Sequence, residues 1–316
     1  MPFSSLSVIV APRPLIYRRA MSYAPYETLI AAARDKTTPV RLVLGVVLLA
    51  PVSMILSTFV LGFLIGALGF AGGDDEAMGA VLNGRSAQAV LLLLFSFTGY
   101  ILALAIVLRL VHGRHLAGLI GPAPLTLDQG RRVFLAVAAF LAVFVLVPAG
   151  EGFALSRQHA FGEWVIFLLP ALAGILVQVS AEELVFRGYF QSHLAALARN
   201  PLIWMGAPAL LFGLLHYDVR TYGDNAWLIV LWAIGFGLAA ADITARAGTL
   251  GPAIAMHVAN NALAFLIAAP EGYLDGLALY TYDFPIRDSS RVLEWLPQEA
   301  LATLCMWLCA RLVLRR

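Results

Sequence analysis

The sequence predicts an all-α fold, a polytopic transmembrane helical bundle of about eight spanning helices. Hydrophobic residues make up 61% of the 316 residues and charged residues only 13%, whereas an ordinary soluble domain is about 25% charged. The mean hydropathy of +0.84 also places the chain in lipid. The formal net charge of +2 is too small to indicate a nucleic-acid partner. Membrane lipid is therefore an expected partner, and nucleic acid is not.

Apolar segments close to the roughly 20 residues that a helix needs to cross a bilayer define the elements in order. Three clear segments lie at about 40–72, 86–108 and 133–149. Others, some short or interrupted by ionisable residues, lie at about 164–186, 202–217, 226–241, 250–270 and 299–314. We expect a single membrane domain over 39–316, preceded by a cytoplasmic N-terminal segment over 1–38. That first segment lacks an apolar stretch followed by a small-residue cleavage site, so no secretory signal peptide is predicted.

The charges in the connections alternate in sign along the chain, and Lys and Arg accumulate on the cytoplasmic side of a membrane. The basic connections and ends contain Arg34, Lys36, Arg41, Arg109, Arg114, Arg131, Arg132, Arg187, Arg199, Arg246, Arg311, Arg315 and Arg316. The acidic ones contain Asp74, Asp75, Glu76, Glu151, Glu163, Asp218, Asp224 and most charges of 271–299. An even number of spans with both termini cytoplasmic fits this pattern. A bacterial cytoplasmic membrane is expected, and the endoplasmic reticulum stays open.

The longest predicted connection, 271–298, is rich in aromatic residues such as Tyr280, Tyr282, Phe284 and Trp295. Aromatic rings favour the headgroup layer of a bilayer. We therefore expect this connection to lie as a loop at the outer interface.

Ionisable residues are concentrated in the fourth apolar segment, where a charge near the bilayer centre costs between ~3 and over ~10 kcal/mol and marks a functional candidate. The segment runs into Glu182 and Glu183 without a turn residue. Glu183 precedes Arg187 by four residues, the better orientation for an intrahelical ion pair. Glu182 points about 100° away, as the helical period requires, and lacks that partner. Glu183 and Arg187 are thus predicted to form a structural pair, and Glu182 to titrate or hold water.

Two histidines lie in other apolar segments, His216 in the fifth and His257 in the seventh. A single histidine on such a helix is usually an interhelical hydrogen-bonding group. Two histidines together with an unpaired glutamate favour a site instead. Asn261 follows His257 by four residues, so both side chains lie on one face and can direct donors to a common point.

A helical hairpin would bring Glu182 and His216 to similar depth. The midpoint between them is position 199, beside Asn200 and Pro201, the best turn signal in this stretch. At ~1.5 Å per residue, His216 would lie roughly 22 Å from that turn, which is deep for a site near the cytoplasmic face.

Three motifs appear in order on separate apolar helices: Glu182-Glu183-x-x-x-Arg187, Phe212-x-x-x-His216 and His257-x-x-x-Asn261. Together they resemble the type II CAAX prenyl endopeptidase and bacteriocin-processing family, known as CPBP or Abi proteins, over about 164–270. This resemblance implies an intramembrane endopeptidase that hydrolyses a peptide bond in a hydrophobic or lipid-modified, CAAX-like protein substrate. It further implies that Glu182 and His216 activate a water, that His257 and Asn261 stabilise the oxyanion, and that Glu183 and Arg187 support them.

Zinc is the alternative for this set, since Glu182, His216 and His257 are also suitable zinc ligands. The zinc-binding H-E-x-x-H signature is absent. Asn261 is a poor zinc ligand but a good donor to an oxyanion. We therefore expect no required cofactor, with Zn²⁺ as the alternative.

Other functions are compatible with a polar cluster in a membrane. One is a non-proteolytic membrane binding protein, such as a bacteriocin-immunity factor or a scaffold. A second is an ion-coupled transporter, against which the absence of an inverted repeat counts. A third is a bundle in which the polar residues only join helices. The sequence predicts neither the substrate's identity nor an oligomeric state.

Overall fold

A bundle of helices with a small sheet at one end forms the protein. The computed structural model describes residues 23–68, 75–146 and 153–315. Its helices are α1 Glu27–Arg34, α2 Pro39–Ala67, α3 Asp75–Leu82, α4 Ala87–His112, α5 Ala117–Ile120, α6 Ala123–Phe144, α7 Phe161–Leu197, α8 Pro201–Leu214, α9 Val219–Ala247, α10 Gly251–Ile267 and α11 Ser289–Leu314. The strands are β1 Leu155–Arg157, β2 Ala268–Glu271 and β3 Tyr280–Pro285.

Some predicted features lie outside the described residues. These are the ends of the first and third predicted spans at 69–72 and 147–149, most of the N-terminal segment 1–38, and the charged residues Asp74, Glu151 and Arg316.

Four helices, α2, α4, α7 and α9, are long and apolar enough to cross a membrane, and α8 and α10 are shorter apolar helices. Large apolar side chains on α2 are exposed on the protein surface, among them Val40 at 77% and Phe59 at 70%. Such a surface suits lipid rather than water. The predicted helical membrane fold is therefore confirmed, while the number of eight spans stays a prediction. Helices α6 and α11 are also long but contain charged residues.

Helices α6 and α11 begin earlier than the apolar segments predicted from 133 and 299, because the preceding parts of these helices contain polar and charged residues. Helix α6 begins at Ala123, with a proline in its first turn. Helix α11 begins at Ser289 and is capped by Asp288, whose side chain accepts from the backbone N–H groups of Ser290 and Arg291. The connection at 271–298 is consequently not a single loop, since it contains β3 and the start of α11.

The sheet was not predicted, and it joins the ends of several helices. Its order is β1-β3-β2, with β1 antiparallel and β2 parallel to β3. Phe284 and Ile286 at the end of the sheet pack with Ile229 of α9 and Val292 of α11. Gly276 lies against the backbone of Ser86, where an added Cβ would come within 2.3 Å. The sheet and the loop between β2 and β3 thus contact α9, the start of α11 and the residue before α4.

The opposite end of the bundle is closed by an arm formed by residues 23–34. Tyr26 is fully buried and stacks on Trp204 at 5.2 Å between ring centroids. The carbonyl oxygen of Pro25 lies where a Cβ on Gly248 would be, and Gly248 has a φ of +74°. Only glycine fits this close approach in a left-handed conformation.

Asp242 connects three parts of this end. It accepts hydrogen bonds from Tyr23 Oη at 2.7 Å, from Arg246 Nε at 2.7 Å and from Trp307 Nε1 at 2.9 Å. We expect Asp242→Ala to lower the free energy of unfolding by about 3–5 kcal/mol, because it removes the carboxylate that pairs with the buried Arg246. Denaturant unfolding of the purified protein in detergent measures this loss.

The matched control is Asp128→Ala. The Asp128 side chain is 50% exposed and lies 3.8 Å from Arg131, so its loss should change stability by less than about 1 kcal/mol. Equal effects of the two substitutions would contradict the assignment of Asp242 as the connecting group.

Candidate functional site

Helices α7 and α8 form the predicted antiparallel hairpin. The Asn200 side chain caps α8 by accepting from the backbone N–H of Leu202 at 3.0 Å, and Pro201 occupies the first helical position, where its missing N–H is harmless. Phe186 of α7 packs edge-on against Phe212 of α8 at 5.1 Å. Since Glu182 and His216 lie one turn beyond those rings, on either arm, the hairpin brings them to similar depth.

Arg187 is held by groups from three helices. The α-helical part of α7 ends at Glu183 and continues in π geometry over Leu184–Gln191, a local change that is frequent at functional sites. Arg187 Nη1 donates to Glu183 Oε1 at 2.9 Å, and the two side chains are 2% and 0% exposed. Arg187 Nη2 donates to the carbonyl of Gly237 on α9 at 3.3 Å. The guanidinium also lies 4.7 Å from the ring of Phe212.

His257 of α10 lies between the two glutamates. Its Nδ1 is 2.8 Å from Glu183 Oε1, and its Nε2 is 3.7 Å from Glu182 Oε2. Because Glu183 Oε1 is bonded to both Arg187 and His257, the orientation of the imidazole is fixed. The ring packs on Phe236 at 4.7 Å between centroids.

Glu182 is the more accessible acid, with 17% of its side chain exposed. Gln178, one turn earlier on α7, donates from Nε2 to Glu182 Oε1 at 2.5 Å. Asn261 of α10 donates from Nδ2 to Gln178 Oε1 at 2.9 Å. Sequence reasoning did not single out Gln178. An amide four residues before an intramembrane glutamate, in an otherwise apolar segment, is the signal that could have found it.

His216 stands apart from the other site residues. Its Nδ1 lies 2.8 Å from the carbonyl oxygen of Phe212. A carbonyl only accepts, so Nδ1 donates and Nε2 keeps its lone pair when the ring is neutral. His216 forms no direct hydrogen bond to either glutamate among the described residues. The Phe212 ring lies between the two imidazoles, 4.7 Å from His216 and 6.2 Å from His257.

The cluster brings two carboxyl groups, Glu182 and Glu183, together with one guanidinium, Arg187, and one imidazole, His257. Buried charged groups are unfavourable unless they are paired and hydrogen-bonded. These four side chains supply such partners to one another.

The zinc alternative has no preformed group of three ligands in the described part of the chain. No group of three His, Cys, Asp or Glu side chains that could hold a metal ion occurs within residues 23–68, 75–146 and 153–315. Glu182 and His257 lie 3.7 Å apart, and Nδ1 of His216 is bonded to the carbonyl of Phe212. Zinc binding and a reaction without a cofactor both stay predictions.

Comparison with known proteins shows a family likeness in the part of the chain that builds this site. The family described as type II CAAX prenyl endopeptidase Rce1-like matches residues 163–263, which include all the motif residues. The uncharacterized protein YyaK of Bacillus subtilis (strain 168) is 29% identical over 127 residues, which span 40% of this chain and 42% of the relative. No solved structure matches the chain. The predicted resemblance is therefore confirmed for the part of the chain that builds the site: residues 163–263 match the Rce1-like type II CAAX prenyl endopeptidase family.

Proposed function

We propose that this protein is an intramembrane endopeptidase that hydrolyses a peptide bond in a hydrophobic or lipid-modified, CAAX-like protein substrate. The family match supports a peptidase. The observation that carries the proposal is the position of Glu182, a partly accessible carboxylate 3.7 Å from His257 inside a buried polar cluster. Ionisable groups inside a membrane are energetically costly, so their presence marks a functional site.

Glu182 acts in this proposal as the general base and then as the general acid. A water bound between Glu182 and the Nε2 lone pair of His216 loses a proton to Glu182 while its oxygen attacks the scissile carbonyl carbon. Glu182 then returns that proton to the amide nitrogen as the C–N bond breaks. A positioned acid–base group of this kind contributes about 10²–10⁴-fold to the rate.

His257 and Asn261 stabilise the negative oxygen of the tetrahedral intermediate. Asn261 uses one amide N–H for Gln178, which leaves its second N–H for the oxyanion. The Nδ1–H of His257 is directed to Glu183, so its Nε2 donates only when the ring is protonated. Fixed donors of this kind need no reorganisation during the reaction.

The proposed setting is a bacterial cytoplasmic membrane with both termini in the cytoplasm. Arginine-rich ends of several helices meet at one end of the bundle, which supports this orientation. For example, Arg132 of α6 donates to the carbonyl of Val313 in α11, and Arg246 of α9 lies 5.0 Å from the ring of Tyr23 in the arm.

Replacing His216 with Ala is expected to lower kcat about 10²–10⁴-fold, because the water loses one of its two orienting groups. The assay is cleavage of fluorogenic hydrophobic and farnesylated peptides by the purified protein in detergent. His159→Ala is the matched control, since His159 contacts Gly276 near the sheet and lies outside the site. A His216→Ala protein as fast as wild type would remove His216 from the mechanism.

A chelator is expected to leave the cleavage rate unchanged, because Glu182 and not a metal ion activates the water. The same peptides serve for this measurement, with and without chelator. Inhibition that added zinc reverses would replace the proposed mechanism with a metal-dependent one. Absence of cleavage by folded wild-type protein on every peptide would instead favour the non-proteolytic binding role.

A further inference from the structure

We infer that Gln178 is a positioning residue that aligns the general base and the oxyanion donor with each other. This inference rests on the proposed peptidase function. Gln178 is buried, donates to Glu182 at 2.5 Å and accepts from Asn261 at 2.9 Å. It is the one side chain within the described residues that hydrogen-bonds to both Glu182 and Asn261.

The direction of the bonds follows from the chemistry of the groups. An ionised Glu182 only accepts, so the NH₂ end of Gln178 must face it and the carbonyl end must face Asn261. Asn261 then has to donate through Nδ2, and its Oδ1 accepts from Asn260 Nδ2 at 3.1 Å. In the resulting series of hydrogen bonds every donor is directed toward the Glu182 carboxylate. The series runs from Asn260 through Asn261 and Gln178 to Glu182.

This series of hydrogen bonds also sets the distance between the general base and the oxyanion donors. Gln178 and Glu182 are one turn apart on α7, and His257 and Asn261 are one turn apart on α10. The Gln178 contact with Asn261 forms one link between the helices, and the contacts of His257 with the glutamates form the next. Two links a turn apart resist sliding of α10 along α7. Misplacement of catalytic groups by about 1 Å can lower a rate about 10²-fold.

The test compares Gln178→Met, Gln178→Glu and the control Gln191→Met. Gln191 is also a buried amide of α7, but it donates to the backbone carbonyl of Ala241 on α9, so it tests general packing of the helix. Gln178→Met should lower kcat about 10–100-fold with little change in KM, because substrate binding is retained while alignment is lost. Gln191→Met should leave kcat close to the wild-type value.

Gln178→Glu gives a readout that a purely structural role would not change. A second carboxylate beside Glu182 disfavours its ionised form, so the acidic limb of the pH–kcat profile should move to higher pH. The other titratable or charged groups near Glu182 are Glu183 and Arg187 on α7, His257 on α10, Tyr100 on α4 and, across the proposed water, His216. All are unchanged in this variant. Gln191→Met should leave the profile where it is.

An activity-independent measurement separates this inference from the proposed function. Difference infrared spectra of wild type and Glu182→Gln identify the carboxylate band of Glu182, and Gln178→Met should shift that band because it removes the 2.5 Å hydrogen bond. Wild-type cleavage together with unchanged kcat, pH profile and band in the Gln178 variants would overturn the inference and leave the peptidase proposal intact. Absence of wild-type cleavage with a shifted band would overturn the peptidase proposal and the catalytic purpose of the alignment, but it would support the hydrogen bond by which Gln178 positions Glu182.

Discussion

Glu182→Gln is expected to lower kcat about 10²–10⁴-fold with the fold preserved. Glutamine has the shape of glutamate but cannot take the proton of the attacking water. Gln178 can still donate to the carbonyl oxygen of the new amide, because the amide at position 182 can turn that oxygen toward it. Cleavage of the fluorogenic peptides gives kcat and KM, and thermal unfolding in detergent reports on the fold.

The matched control is Glu163→Gln on the same helix. Glu163 is exposed and lies in the first turn of α7, about 20 residues before the site, so a change in its charge should leave kcat unaltered. Equal rates for wild type and Glu182→Gln would rule out Glu182 as the base. A similar loss in both variants would indicate an effect of charge on the whole protein.

Arg187→Leu is expected to destabilise the fold by about 3–5 kcal/mol, because it leaves the Glu183 carboxylate buried without its cation. Arg187→Lys should not restore full stability. A lysine lacks the planar guanidinium whose two nitrogens donate to Glu183 and to Gly237, and it cannot stack on the Phe212 ring. The measurement is denaturant unfolding of each purified variant in detergent.

The double variant Glu183→Leu with Arg187→Leu separates pairing from catalysis. Removing both members of a buried pair is often close to neutral for stability, so the double variant should be more stable than Arg187→Leu alone. Its kcat should stay low, because His257 has lost the acceptor of its Nδ1–H. Equal stability of the single and double variants would contradict the role of the ion pair in the fold.

Local features of the fold were predictable from the sequence because they depend on residues close in the chain. The Glu183–Arg187 pair lies within one helix, and the hairpin depends on Asn200 and Pro201 at its turn. The sheet was not predictable in the same way. Strand β2 pairs with β3 in parallel, and β1 comes from a segment more than a hundred residues earlier. Such long-range pairing leaves no local periodic pattern.

The site was predictable as a set of residues but not as a network of contacts. Helical spacing placed His257 and Asn261 on one face, yet the contact of His257 with both glutamates depends on how α10 packs against α7. Gln178 was missed because a single amide in an apolar helix is usually interpreted as a hydrogen-bonding group between helices. Only the structure connects it to Glu182 and Asn261 at the same time.

The most direct test of the central claim is cleavage in water labelled with oxygen-18, analysed by mass spectrometry. Wild-type protein is incubated with hydrophobic peptides that do or do not carry a farnesyl group, and Glu182→Gln and Glu163→Gln are run beside it. We predict products whose new carboxyl group contains the heavy oxygen, formed by wild type and Glu163→Gln and greatly reduced with Glu182→Gln. Products without the label, or labelled products formed equally by Glu182→Gln, would contradict it.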